Sequence, residues 1–510
     1  MRIALIADLH LSDITGTPQE ETFEWALEEL EQIKPDACVW LGDITATGSP
    51  DAAMRFRRKI NGLCCPSVTV AGNSDIRTES TAPLMERFLS NYQEGLKVGN
   101  IRIVGMNTSH DKISPGEMER LSHLDIGEDI LLCSHQPAKY LDAESLTFLK
   151  NWIHELEGKG HRVLAWVHGH IHVYKTGEFE GIPTFTPCAL DLDKNRRGYP
   201  HICLMSFDKN GAPSIEEVSY SRGTLDTWTD EEKQEFVDYL GITCYSRSKV
   251  EIAMPFAIQN GVRHLEWRSI KEGEISLIEE WRRKGGKSFS LHFPSLAFDG
   301  TEITGIPKME SYSKNAIDAA VDMITVHPPY VYNDEMLNGN VFDAIADAMA
   351  VCLSPVAEAG IDILVENNHT ERGTPLDPLK RGYGCSPLEM VGWRDALNER
   401  LGKDSCHLRF DLGHARNNMP LSQDYPIGKW YSLIGKDSNA YHIHQTILDK
   451  TDNSMHNHHP ITGLHDGMVS FDGFLWAWHA GILKHGPIIL EIREGEGACA
   501  TWSRFQEIFK

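Results

Sequence analysis

The amino-acid sequence predicts an α/β protein in two parts, a layered α/β domain over residues 1–224 followed by a (β/α)8 barrel over residues 225–510. Three observations predict it. In the first part, short apolar runs alternate with stretches of helical periodicity. In the second, eight such runs recur, and most of the intervals between them hold a helix-like segment. Each of those eight runs ends near a residue type that binds metal: Cys244, Glu266, His292, His327, Glu366, Asp411, His444 and Glu491. Barrel active sites form where the strands end, so the third observation marks that face as the functional one.

The elements follow in order. Apolar runs at 3–7, 37–41, 67–71, 101–106, 130–133 and 163–167 read as buried strands. Between the first two, Phe23, Ala26, Leu27, Leu30 and Ile33 recur at helical spacing. From 174 to 220 the runs shorten and Gly, Pro and Asn become frequent, as in hairpins that finish a sheet. Ser221-Arg222-Gly223-Thr224 reads as the junction, which puts the domain boundary near residue 225. Helix-like stretches at 341–358 and 387–401 are typical of the barrel intervals.

Composition narrows the function classes. The chain has 510 residues, 41% hydrophobic and 24% charged, enough for substantial cores. Lys and Arg total 49 against 73 Asp and Glu, and the net charge of -24 disfavours a non-specific grip on nucleic acid. Neither part is a basic tail: residues 1–224 carry 22 basic and 32 acidic groups, and the remainder 27 and 41, net -14. Eleven cysteines with no C-x-x-C pair, two of them adjacent at Cys64-Cys65, indicate neither a disulfide framework nor a zinc ribbon. With no apolar run near the roughly 18 residues of a membrane span, a cytoplasmic protein without membrane attachment is expected.

In the first part, Asp8-Leu9-His10, Gly42-Asp43, Gly72-Asn73-Ser74-Asp75, His135 and His168-Gly169-His170-Ile171-His172 each sit where a strand gives way to a loop. Residues i and i+2 of an extended segment point the same way, so both members of Asp8-x-His10 and of His170-x-His172 can reach one site. A lone Asp-x-His is usually surface, but five such motifs at successive strand ends are not. This order of motifs resembles the calcineurin-like metallophosphoesterase family over nearly all of residues 1–224, and the resemblance implies that family's α/β sandwich. It further implies that Asp8, His10 and His172 hold one metal, that Asn73, His135 and His170 hold a second, and that Asp43 bridges them, with Asp43, Asn73 and His135 counted as catalytic. Mixed carboxylate and imidazole ligands suit manganese, iron or zinc, two ions of which can stabilise the attacking and leaving oxygens of a phosphoryl displacement. Ser74 departs from the His that many diesterases of the family carry there, and a hydroxyl is a poor acid. His168 reads as a neighbour of the ligands, and His154 and His161 as surface.

In the second part, His292, His327, Glu366, Asp411-Leu-Gly-His414, His442-Ile-His444, Asn457-His-His459 and Glu491 converge on the strand ends. Several carboxylates in one mouth repel one another unless a cation neutralises them. The set resembles the xylose-isomerase-like barrels, which include sugar isomerases and epimerases and endonuclease-IV-type abasic-site endonucleases. That resemblance implies a single-metal core of Glu366, Asp411, His444 and Glu491. His292, His327, His414 and His459 match the extra ligands of the endonuclease branch, so one to three divalent ions (zinc, manganese or iron) are expected, with Glu366 and Glu491 also able to serve in catalysis. Asn457 replaces an Asp of that branch, and Ser295 stands where it inserts an aromatic wedge into DNA. His442 reads as supporting His444, and His456, His458, His465 and His485 as loop residues.

The expected function is a two-domain, metal-dependent phosphoesterase acting on a phosphate ester of a nucleotide, a nucleic-acid end or a sugar, without a strong grip on duplex DNA. Two other enzymatic readings stand beside it: a sugar isomerase or epimerase barrel fused to a phosphatase, and an abasic-site endonuclease with an end-processing phosphoesterase. A binding scaffold with a vestigial site is the weakest reading, because both ligand sets are nearly intact. Oligomeric state is left open.

Overall fold

The computed structural model describes residues 1–510 apart from 93–94, 125–126, 197, 245–246, 272, 371–378, 403, 420, 450, 452–453 and 494–496. The chain divides into two compact units, Met1–Thr224 with Ser470–Gly473, and Leu225–Val469 with Phe474–Lys510.

Among its described residues the N-terminal unit has eleven strands: β1 (Ile3–Ile6), β2 (Ala37–Trp40), β3 (Ser67–Thr69), β4 (Leu96–Val98), β5 (Ile101–Met106), β6 (Asp129–Ser134), β7 (Val163–His168), β8 (Lys175–Phe179), β9 (Ile182–Thr186), β10 (His201–Phe207) and β11 (Pro213–Ser219). They form two sheets, ordered β11-β10-β1-β2-β3 and β4-β5-β6-β7-β9-β8. β1, β2 and β3 run parallel, as do β5, β6 and β7, so in each sheet these strands end on one edge. Ile3, Leu5, Val39 and Val68 of the first sheet share one buried cluster with Ile103, Leu131, Cys133 and Val167 of the second, which makes the two sheets a sandwich. Strand alternation turns Val104, Leu132 and Trp166 the other way, onto Leu149, Trp152 and Ile153 of the helix Ala143–Gly158. On the outer face of the first sheet, Phe23 of the helix Pro18–Ile33 packs edge-on against Trp40. Thr17 caps that helix by accepting from the Glu20 N–H, and a helix cap of this kind is worth about 1 kcal/mol.

The hairpins of 174–220 complete two sheets rather than one. β9 pairs parallel with β7, while β10 pairs antiparallel with β1, so each hairpin closes its own sheet. Three-residue β4 carries too little periodicity to be read in advance.

The C-terminal unit holds β12 (Leu240–Cys244), β13 (His264–Trp267), β14 (Ser288–His292), β15 (Ala297–Phe298), β16 (Ile303–Thr304), β17 (Met323–Val326), β18 (Asp362–Glu366), β19 (Cys406–Asp411), β20 (Ser438–Ile443), β21 (Gln445–Asp449), β22 (Ser454–His459) and β23 (Ile488–Leu490). Eight of these close a barrel in the order β12-β13-β14-β17-β18-β19-β20-β23, with β23 returning parallel to β12. Hairpins β15–β16 and β21–β22 are inserted after the third and seventh barrel strands. The helix Gly339–Glu358 is long and apolar enough to cross a bilayer by length and composition. Its Ile345, Met349, Leu353 and Val356 are buried at helical spacing, as in a helix of the barrel's outer ring.

Candidate metal centres

Seven side chains meet at the strand ends of the N-terminal unit. The fold holds them in an expensive backbone: Asp8, His10, Asp43, His170 and His172 all have positive φ, between 49° and 73°. Non-glycine residues rarely adopt that region, and such outliers cluster at functional sites. Gly72 is needed beside them, because a Cβ there would lie 2.3 Å from the Asp43 amide nitrogen and Oδ1.

Asp43 sits at the centre. His10 Nε2 is 3.1 Å from its Oδ2 and His135 Nε2 is 3.4 Å from its Oδ1. The ligating atoms of Asp8, His10, Asp43 and His172 all lie within 4.8 Å of one another. Asn73 gathers the remaining residues, its Oδ1 lying 3.1 Å from His135 Nε2 and 3.0 Å from His170 Nδ1. The structure therefore brings together Asp8, His10, Asp43, Asn73, His135, His170 and His172. His168 points elsewhere, pairing with the Thr186 hydroxyl at 3.0 Å.

Two groups that sequence reasoning passed over complete this centre. Asp191 Oδ2 lies 3.4 Å behind His10 Nδ1, close enough to favour charge on that ring, while the Asp8 carbonyl at 3.2 Å is the hydrogen-bond contact of Nδ1. Asp191 reaches the site across more than 170 residues of chain, and no local pattern marks it. Asp75 ties two ligand loops together, accepting from the Thr45 N–H at 2.7 Å and the Gly72 N–H at 2.9 Å. Ser74 is turned inward: its N–H and hydroxyl both donate to Asp43, at 2.7 and 2.9 Å, so its oxygen supports the central carboxylate.

The electrostatics fit a cation. Burial pushes Asp8 up to about 7, His135 opposing and Asp43 adding to the rise. Burial likewise works against charge on Asp43, yet the His135 and His10 imidazoles hold it well below the usual carboxylate range. Burial lowers His170 to about 4 and holds His172 well below the usual imidazole range, leaving neutral rings suited to ligation. If a metal takes Asp8 and His135, both must give up their protons, so metal affinity should fall by at least about tenfold per pH unit as the pH drops below about 7. Manganese titrations of the metal-free protein across that range, in two buffers of different ionisation enthalpy, measure both affinity and the proton released. Affinity independent of pH would dismiss Asp8 as the limiting ligand.

The barrel mouth is denser. Glu366 at the end of β18 faces His292 Nε2 at 3.3 Å, His327 Nε2 at 3.5 Å, His414 Nδ1 at 3.4 Å and His442 Nδ1 at 2.9 Å. Asp411 Oδ1 is 3.2 Å from His444 Nε2, and Glu491 Oε2 is 3.2 Å from His442 Nδ1. Among the described residues, three sets of side chains here are close enough to hold a metal ion: His292, His327 and Glu366; Glu366, Asp411, His442 and Glu491; and His414, His444, His458 and Glu491. Glu366 and Glu491 each belong to two.

His458, read from the sequence as a loop residue, is turned into this mouth, and His459 lines the cavity beside it. The positive φ of 65° at His458 and its N–H bond to His444 Nδ1 at 2.9 Å aim the ring at His414, Nε2 to Nε2 at 3.5 Å. His459 pairs with Gln445 across the β21–β22 hairpin and joins none of the three sets. The register shift in that hairpin decides between the neighbours, and sequence spacing does not carry it.

Beneath the mouth lies a buried charge network that strand-end reasoning reached only in part. Glu266 accepts from Ser290 Oγ at 2.8 Å and Thr325 Oγ1 at 2.7 Å, pairs with Arg409, and lies 2.8 Å from His442 Nε2. His442 thus stands between Glu266 on one side and Glu366 and Glu491 on the other. Burial opposes its charge, but these three carboxylates raise it well above the usual imidazole range. Burial similarly opposes ionisation of Glu266, which Arg409 and His442 nonetheless hold far below the usual carboxylate range.

The donor chemistry fits divalent transition metals in both units. In the barrel, the buried atoms His292 Nε2, Glu366 Oε2, Asp411 Oδ2 and His444 Nε2 have no well-aligned hydrogen bond although they face one another. Imidazole nitrogens and carboxylate oxygens aimed at a common volume are what a divalent cation requires.

Residues 1–174 match the calcineurin-like phosphoesterase family, and this part of the chain is a calcineurin-like phosphoesterase domain. A relative in Pseudoalteromonas sp., named a probable cyclic nucleotide phosphodiesterase, is 29% identical over 188 residues, which cover 34% of this chain and 71% of the relative. Another in Arcobacter nitrofigilis, named a probable glycerophosphodiester phosphodiesterase, is 28% identical over 187 residues, 32% of this chain and 68% of the relative. Among solved structures, a xylose isomerase domain protein from Planctomyces limnophilus aligns with 11% identity and a TM-score of 0.36, covering 53% of this chain and 94% of that one. The barrel itself rests on its own closed strand pairing.

Proposed function

We propose that the N-terminal domain, residues 1–224, is a dinuclear metal-dependent phosphodiesterase, with Asp8, His10 and His172 on one ion, Asn73, His135 and His170 on the other, and Asp43 shared. The observation that carries this is the strained seven-residue ring around Asp43, five of whose members hold positive φ. Bound manganese, iron or zinc would polarise the phosphoryl group and make a water molecule held there more acidic. The chain's own part is to fix the ligands: the Asp8 carbonyl lies 3.2 Å from His10 Nδ1, the Leu41 carbonyl accepts from His135 Nδ1 at 2.8 Å, and Ser74 steadies Asp43. No side chain at position 74 offers a proton to a leaving group, so esters with stabilised leaving groups suit this site best. The names of the relatives support cyclic nucleotides and glycerophosphodiesters as substrates to try beside activated aryl diesters, their alkoxide leaving groups making them the harder test.

For the barrel, residues 225–510, the proposal is a second, multinuclear site that processes a phosphorylated small molecule or a nucleic-acid end. Two observations favour this over single-metal isomerase or epimerase chemistry: Glu366 and Glu491 are each shared between two ligand sets, and Arg268 lies 3.8 Å from Glu491 while Arg493 lines the cavity of about 330 Å³ beside His458. Guanidinium groups at a metal mouth suit a phosphate. The net charge of -14 on residues 225–510 supports small substrates over duplex DNA. Eleven cysteines, all but Cys64 buried and none in a C-x-x-C pair, fit the reducing cytoplasm.

The test is a panel of activated aryl diesters, cyclic nucleotides, glycerophosphodiesters, sugar phosphates and abasic duplex, run on the full chain loaded in turn with manganese, iron and zinc. Turnover of a phosphodiester is expected. Failure on every phosphoester with all three metals would sink the reading, and incision of the duplex would move the barrel to the repair class.

A further inference from the structure

Cys38 and Cys65 place their sulfurs 3.2 Å apart in the N-terminal unit. We infer that these two residues form a thiol pair that a hydroperoxide converts to a disulfide, with Cys65 as the reacting sulfur and Cys38 as its resolving partner. The inference stands on this contact alone and is independent of the phosphodiesterase reading.

The backbone already holds the pair in place. Cys38 lies in the middle of β2, its N–H donating to the Pro66 carbonyl at 3.0 Å, so the residue after Cys65 is fastened to Cys38 itself. A disulfide needs the sulfurs to close to about 2.05 Å, a movement of about 1 Å that side-chain rotation can supply without separating the strands. Accessibility differs between the partners. Cys38 is fully buried, whereas Cys65 is 8% exposed and follows the exposed Cys64, so a small oxidant can approach only from the Cys65 side. The sulfurs differ in the same sense. A hydrogen bond from Cys38 draws the Cys65 thiol below its ordinary range against the effect of burial, while Cys64 is pushed up by burial and by the Glu31 carboxylate. Thiolates, not thiols, attack peroxides, so reactivity concentrates on Cys65 despite the greater exposure of its neighbour.

The step balances. The Cys65 thiolate attacks the hydroperoxide, the O–O bond breaks, an alcohol or water leaves, and Cys65 carries a sulfenic acid. The Cys38 sulfur then displaces hydroxide from it, and the protons released form water. In sum, two thiols are oxidised and one hydroperoxide is reduced to its alcohol and water. The product closes a loop between residues 27 apart in sequence, and it staples the two segments whose far ends present Asp43 and Asn73.

The experiment treats the full-length folded protein with a few equivalents of hydrogen peroxide, blocks remaining thiols with N-ethylmaleimide, and maps peptides without reduction. Expected is a Cys38–Cys65 linkage formed ahead of any other, reversed by dithiothreitol, with a Tm raised by oxidation. Cys65→Ala should abolish it and Cys64→Ser should leave it intact, and wild-type protein followed by time-resolved mapping keeps the test open if Cys65→Ala misfolds. A Cys64–Cys65 linkage, an intermolecular link through Cys64, or a Cys38–Cys65 link seen only in denaturant would each overturn the inference.

Discussion

Asp43→Asn is expected to lower phosphodiester turnover by the N-terminal domain roughly a thousandfold and to cost it at least one bound ion, because several kcal/mol of charge stabilisation pass through shared ligands of this kind. The substitution is nearly isosteric, and the asparagine oxygen can still accept from the Ser74 N–H that Asp43 holds at 2.7 Å. What it removes is the charge between His10 and His135, at 3.1 and 3.4 Å. Fold loss is therefore separable: circular dichroism and Tm of the metal-free variant should stay near wild type, while manganese content and kcat fall together. Full activity with full metal content would remove Asp43 from the centre of the site. Collapse of the fold would mean that its hydrogen bonds to the ligand loops matter more than its charge.

Much of the architecture was legible because buried parallel strands write themselves as short apolar runs, and all eight barrel strands stop within a few residues of the polar positions that end those runs. The candidate ligands share that logic, since a strand end is both a pattern boundary and a place on the functional face. What stayed hidden depends on contacts rather than periods. Asp191 approaches His10 from the loop between β9 and β10, and nothing in its sequence surroundings distinguishes it from Asp193. His458 and His459 are adjacent, identical in type, and separated only by hairpin register. Arg409 occupies a strand position that reads as polar interruption in an apolar run, and its value becomes visible only when Glu266 lies against it. The Cys38 and Cys65 contact is likewise invisible until β2 and the segment before β3 are laid side by side.

In the barrel the largest effect is expected from Glu366→Gln. Glu366 is fully buried, and burial alone would favour its neutral form, yet His442 and His327 keep it ionised. It stands in the set with His292 and His327 and also in the set with Asp411, His442 and Glu491. One neutral amide therefore weakens two ligand sets at once, and it deprives His442 of one of the three carboxylates that hold its charge. Metal analysis of the full chain, wild type against variant under identical loading, should show more than one equivalent lost while the N-terminal ions remain and phosphodiester turnover there is unchanged. Loss of a single equivalent would indicate one barrel ion held by Glu366, Asp411, His444 and Glu491, and with it isomerase or epimerase chemistry. No loss at all would mean that the carboxylates are balanced by His442 and Arg409 alone, leaving a charge-compensated core with no metal role.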